Sequence, residues 1–330
     1  MIKNTKIHTH FGFIDVAKGL GIILVVCSHV YHQLMDWALP FFIPLFFIIS
    51  GYCTTRKVSI SGKFKKLILP YILFTILLMT VYLDFKPINF IGFVYSRWCL
   101  FPLGTESNIL FFRIGNGPLW FLTSMFVAFI LFKPLQSNKM PWLIVACYLV
   151  VTYALSFLPI LLPWSLDTAF LMAVFIFVGS FFREKMLMEQ ISLPIFIGLT
   201  IIYSMLTIYC GKINLSVRLY GTSLLFLLPA AVIGSSLLMK LSVIIDGTQI
   251  GHILQRVGIH SLPIFCIQMP FIQLFRSFFS ALNIGIHPAI IGVFVVFLVL
   301  FATYPIAIVL NIMLDFMKKH LSIRQTSEIR

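Results

Sequence analysis

Charge is scarce in this chain. Only 10% of its 330 residues are Asp, Glu, Lys or Arg, whereas 60% are hydrophobic, and the mean hydropathy is +1.03. That balance excludes a soluble domain, in which about a quarter of residues are charged. It predicts an all-α polytopic membrane helix bundle, because hydrocarbon tolerates no unpaired backbone amides. Paired cysteine spacing is also absent. The six cysteines, Cys27, Cys53, Cys99, Cys147, Cys210 and Cys266, stand singly in apolar segments with no C-x-x-C. This argues against a thiolate metal centre or a disulfide framework, so free packing thiols and no metal are expected. There is no linker to a second domain, no low-complexity tract and no detectable internal repeat. The missing half-repeats weigh against a transporter built on inverted symmetry. Basic residues precede the first apolar stretch, as in a signal peptide. However, Asp15 and Lys18 interrupt that stretch and no small-x-small site follows, so a retained first span is expected.

Aromatic residues and positive charge, by contrast, are plentiful. The 35 Phe and 11 Tyr suit lipid-facing and interfacial surfaces. A net charge of +14 would suggest nucleic acid in a soluble chain. Here it points to the positive-inside rule and to contact with anionic lipid or ligand, with no nucleic acid partner. Apolar runs between charge or Pro/Gly clusters predict about ten helices, at 12–33, 38–54, 67–85, 118–135, 141–159, 166–182, 193–211, 219–240, 259–282 and 287–315. Placing both termini in the cytoplasm puts Arg56–Lys66, Lys133/Lys139, Arg183/Lys185, Lys240/Arg256 and Lys318–Arg330 inside. Lys86, Arg97, Arg113, Lys212, Arg218 and Arg276 then lie outside. Residues 1–317 are read as one transmembrane domain and 318–330 as a cytoplasmic tail. The long external connection 86–117, with Arg97, Glu106 and Arg113, reads either as a lid over an outer cavity or as an interfacial aromatic loop.

The most informative stretch is Ile14 to His32, IDVAKGLGIILVVCSHVYH. At about 100° per residue, the spacing of Asp15, Lys18, His29 and His32 puts all four on or near one stripe, continued by Ile22 and Val25. Lys18 and His29 stand about 16 Å apart along the axis. Charge within hydrocarbon normally faces a protein interior or a wet cavity. A helix-end pair that snorkels to the surface accounts for Asp15 and Lys18 equally well. It accounts poorly for His29, deep in the segment on the same face.

Four further stretches stand out. PLFFIISGYC sets Ser50 and Gly51 at the end of the second helix, where small residues permit close packing. KFKKLILPY sets Lys63 and Lys66 one turn apart, either as a lipid-contacting surface or as point charges for a polyphosphate cofactor. NGPLWFLTSMF carries Asn116 and Trp120, the latter by default an interfacial belt residue. VGIHSLPIFCIQMP carries His260, Ser261 and Gln268.

Together these motifs resemble the acyltransferase-3 family of integral membrane O-acyltransferases. DVAKGLGIILVVCSHV is similar to its first-helix signature, a basic residue and, after ten more residues, a histidine; Lys18 and His29 fill it. PLFFIISGY, KFKKLILPY, NGPLWFLTSMF and GIHSLPIFCIQMP resemble its later motifs in the same order. Lys18 and PWSLDTAF (163–170) look most like the subgroup that acetylates fucose and related sugars. The chain departs from the family in having Lys for the usual Arg at 18, 63 and 66, and Gln268 where many members have His. The resemblance implies a multi-pass enzyme of the bacterial cytoplasmic membrane that uses acetyl-CoA as donor. Its acceptor would be an envelope polysaccharide or a lipid-linked sugar. His29 would serve as general base or acyl carrier, with Lys18 and Asp15 beside it. Lys63, Lys66 and Ser50 would serve the donor, and Trp120 and Asn116 the substrate. A transporter or flippase for a lipid-linked sugar is the alternative class.

Overall fold

The computed structural model describes residues 12–31, 35–102, 108–112, 117–282 and 287–327. The apolar runs fold as α1 (Gly12–Val30), α2 (Phe42–Tyr52), α3 (Ile60–Val81), α4 (Pro87–Tyr95), α5 (Trp120–Ser137), α6 (Pro141–Leu155) and α7 (Leu166–Glu184). They continue as α8 (Leu187–Gln190), α9 (Leu193–Cys210), α10 (Leu224–Ile245), α11 (Gln249–Ile259), α12 (Ser261–Leu282) and α13 (Pro288–Ser327). Eight helices are long and apolar enough to cross a membrane, and α2 and α6 are shorter apolar helices. Among the described residues the only strands are β1 (Ile213–Asn214) and β2 (Leu219–Tyr220), a small antiparallel hairpin. The chain is an all-α polytopic helix bundle.

Local chemistry moves several boundaries from their expected places. Helix α3 begins at Ile60 rather than near 67, because the Ser59 hydroxyl caps it by accepting from the Gly62 amide at 3.2 Å. Lys63, Lys65 and Lys66 therefore ride on its first two turns. Helix α10 begins at Leu224 rather than 219, because Leu219 and Tyr220 are committed to the hairpin and Ser223 caps the helix. Helix α4, entered through Pro87, interrupts the 86–117 connection. Helix α11, capped by Thr248, precedes α12 with only His260 between them.

Packing at the centre depends on missing side chains. A Cβ on Gly51 of α2 would lie 1.9 Å from the Ile176 carbonyl oxygen of α7, and one on Gly179 of α7 would lie 1.8 Å from that of Ile48. The two helices thus cross backbone to backbone, which accounts for Gly51 through packing. Gly51→Ala must force them apart, with an expected loss of about 1–3 kcal/mol. This is read as a lowered thermal midpoint in detergent. Gly198→Ala is the matched control, since its Cβ would meet nothing within 4 Å.

Candidate active site

Helix α1 runs through the bundle with Ile22, Val25 and Val26 fully buried. Glycines set it tightly against α11: a Cβ on Gly258 would fall 1.8 Å from the Asp15 carbonyl oxygen, and one on Gly19 would fall 2.2 Å from that of Leu254. At one end of α1, Lys18 Nζ donates to Asp15 Oδ1 at 2.9 Å, with the carboxylate nearly buried and the ammonium about a third exposed. At the other end lies half-buried His29. The Ser28 hydroxyl gives its proton to the Val25 carbonyl at 2.8 Å and stands 3.4 Å from His29 Nδ1. The hydroxyl therefore faces the ring as an acceptor, which favours the proton on Nδ1 and the basic lone pair on Nε2. Arg276 of α12 donates to the carbonyls of His29 and Val30 at 3.1 and 2.7 Å. It supplies the cation that a helix C-terminus favours.

The stripe opens into two cavities. One, of about 220 Å³, takes Lys18 from α1, Phe46, Ile49 and Ser50 from α2, Phe121 and Met125 from α5, and Gly258, Ile259, Ser261, Leu262 and Phe265 from the α11–α12 junction. The other, of about 230 Å³, takes Ser28 and His29 from α1, Phe42 and Ile43 from α2, and Trp120 from α5. Phe265 and Met269 of α12, Trp98, and Asn214 and Ser216 of the hairpin region complete its wall. A third, wider hollow of about 600 Å³ lies on the opposite face of α12, between α3 and α13. Its polar feature is the Tyr82–Gln273 hydrogen bond at 2.9 Å.

The His29 cavity is roofed by connecting segments that a buried ion cluster ties together. Asp167, fully buried at the start of α7, accepts from Arg97 and from Arg218 Nη1, the latter at 3.1 Å. Arg97 also donates to the carbonyls of Leu162 (3.0 Å) and Ser216 (2.6 Å), and Arg218 to that of Ile160 (2.9 Å). Burial pulls the Arg97 guanidinium below its ordinary range, and Asp167 is the main influence holding it up. Trp98 Nε1 donates to Ser216 Oγ at 3.2 Å, and that hydroxyl donates to Asn214 Oδ1 at 2.6 Å. The cluster thus sets the polar wall of the cavity.

Among the residues expected from sequence, Lys18 and Ser50 share one cavity, and His29 and Trp120 the other. Asp15 holds Lys18. Lys63 and Lys66 line neither cavity; Lys63 Nζ lies 3.3 Å from the centroid of the Phe129 ring. Arg183 of α7 donates to the Tyr52 carbonyl at the end of α2 at 3.0 Å. Gln268 is buried, with Nε2 donating to the Phe265 carbonyl at 3.2 Å. His260 Nδ1 lies 2.6 Å from Asn311 Nδ2, and burial lowers its pKa. Asn116, His32, Glu106 and Arg113 lie outside the described residues. The sequence alone does not single out Ser28, Trp98, Asn214, Ser216 or the Asp167 cluster as parts of this site. Of these only Asp167 carries a signal, an acid inside an apolar run. Among the described residues, no group of three His, Cys, Asp or Glu side chains is placed to hold a metal ion.

The fold and these paired cavities define a multi-pass membrane protein with an internal polar site on its first helix. Residues 11–312 match the acyltransferase-3 family model, described as an acyltransferase domain. The chain belongs to that family and is a membrane acyltransferase. No curated protein and no solved structure matches it.

Proposed function

We propose that this protein is an O-acetyltransferase of the bacterial cytoplasmic membrane. It moves acetyl from cytoplasmic acetyl-CoA to a sugar hydroxyl of an envelope polysaccharide or its lipid-linked precursor, as the sugar O-acetylase-like subgroup does. The observation that carries this reading is the placement of Lys18 and His29 in separate cavities off one helix. We place the Lys18 end in the cytoplasm, because the connections assigned to that side by sequence carry most of the Lys and Arg and positive charge is retained inside. CoA phosphates would meet Lys18, Lys63 and Lys66, lysines serving as point charges in place of bidentate arginines. Asp15 keeps Lys18 in position, and Ser50 lies along the donor path. The thioester arm then extends toward His29, about 16 Å further along the helix.

A sugar hydroxyl is a weak nucleophile near neutral pH and needs a positioned base. His29 Nε2 takes its proton as the hydroxyl oxygen bonds to the acetyl carbon and the C–S bond breaks. In the alternative course His29 itself receives the acetyl group and passes it on; the same cavity serves both. Trp120 and Trp98 offer faces for a sugar ring, and Asn214 and Ser216 offer polar contacts. At about 230 Å³ the cavity is below the usual range for drug-sized ligands, which suits a small sugar unit. Membrane lipids surround the bundle.

The test uses purified wild-type protein in liposomes with acetyl-CoA and a crude envelope-glycan acceptor fraction. Acceptor-dependent CoA release, with base-labile acetyl ester on the glycan, is expected. No release and no ester, with an acceptor fraction that a cell extract does acetylate, overturns the reading.

A further inference from the structure

Two cavities on one helix raise the question of what lies between them. Along α2, Phe42 and Ile43 face the His29 cavity and Phe46 and Ile49 the Lys18 cavity. Along α5 the change comes between neighbours, Trp120 on one side and Phe121 on the other. Phe265 of α12 borders both. The boundary is a row of aromatic rings. Phe46 and Phe121 meet edge to face with centroids 6.0 Å apart, and Phe121 and Phe265 lie 5.1 Å apart. At its α1 end the row abuts bare backbone: a Cβ on Gly21 would lie 3.0 Å from Phe46 Cζ. The rings thus bridge α1, α2, α5 and α12 across the interior. Phe121 and Phe265 are each only 5% exposed, and Phe46 is partly buried.

We propose that Phe46, Phe121 and Phe265 form an aromatic septum that gates passage between the Lys18 and His29 cavities. The inference deepens the acetyl-transfer reading and rests on it for the identity of what passes. An acyl thioester arriving from the Lys18 side meets His29 only when a ring swings aside. Water is the competitor that such a barrier excludes. If water reached the thioester beside a basic histidine, its oxygen would bond to the acetyl carbon and the C–S bond would break. One water proton would end on the CoA sulfur, giving the thiol, and the other would stay with acetic acid. A closed septum confines the thioester until the acceptor site is engaged.

The test reads the barrier without chemistry. Met125 lines the Lys18 cavity, so Met125→Cys places a thiol on that side. A membrane-impermeant cationic methanethiosulfonate is applied to oriented proteoliposomes from the His29 side, and modification of the thiol at position 125 is followed by peptide mass spectrometry. Protection is expected with the three rings intact. Adding Phe265→Ala should raise labelling from that side at least tenfold, and Phe121→Leu should do so to a lesser degree in case the first variant folds poorly. Phe132→Ala is the structural control. That ring is fully buried on the same helix as Met125 and lines neither cavity, so its loss should leave the thiol protected. Equal labelling with and without Phe265→Ala and Phe121→Leu overturns the septum. So does rapid labelling through the intact rings. Acetyl-CoA turnover on the same preparations separates the two ideas. Sided labelling that opens with Phe265→Ala, in a protein that never releases CoA from acetyl-CoA, keeps the septum and removes acetyl-CoA as what it gates. Transfer to glycan with unsided labelling keeps the chemistry and removes the septum. With both intact, Phe265→Ala should also raise acceptor-independent CoA release at least tenfold.

Discussion

His29→Ala abolishes acetyl transfer while the protein still inserts and folds. A positioned base contributes about 10²- to 10⁴-fold, and a covalent carrier more, so the variant should fall below detection in the liposome assay. Stability should change little, because α1 is held elsewhere, by its glycine contact with α11 and by buried Ile22, Val25 and Val26. His29→Gln sharpens the result: it keeps hydrogen-bonding capacity and approximate size but cannot take a proton, so it too should be inactive. Added imidazole should restore part of the activity of the Ala variant, whose cavity then has room for it. Wild-type turnover in either variant would remove His29 from the reaction and leave the cavity as a binding site only.

What makes His29 legible in the sequence is a conflict between residue type and surroundings. A histidine eleven residues beyond a lysine, on one face of an apolar helix, needs an interior to face, and α1 provides one. The membrane class follows from composition in the same way. The start of α3 is hidden because Lys63, Lys65 and Lys66 depress hydropathy while being good helix formers. The hydroxyl of Ser59, rather than the onset of apolar residues, decides where that helix begins. The walls of the His29 cavity are hidden for a different reason. Trp98, Asn214 and Ser216 reach it from connections far apart in the chain, and nothing local marks their meeting. The septum is three phenylalanines among 35; only packing distinguishes them.

The Asp167 cluster is the clearest such tertiary arrangement, and Asp167→Asn should damage the fold more than any other single isosteric change. The carboxylate is fully buried between Arg97 and Arg218, whose side chains are 0% and 1% exposed. Remaining guanidinium protons go to the carbonyls of Leu162, Ser216, Ile160 and Leu158, which offset donors but not charge. Removing one partner of a buried pair costs about 3–5 kcal/mol; here the loss strands two cations, so the upper end applies. The thermal midpoint in detergent should drop by roughly 10 °C. Arg218→Met should be much milder, because it leaves Asp167 and Arg97 as a one-to-one pair. Replacing all three by apolar residues of similar volume should recover much of the stability lost in Asp167→Asn, since a buried ionic cluster is no more stable than well-packed hydrocarbon. Activity should not recover with it. Arg97 holds the Ser216 carbonyl at 2.6 Å, and the Ser216 hydroxyl receives the Trp98 indole proton at 3.2 Å. The apolar triple variant therefore loses the wall of the His29 cavity, and acceptor KM should rise while the protein stays folded. An Asp167→Asn variant as stable as wild type would mean that the roof over His29 is held by its backbone hydrogen bonds rather than by charge.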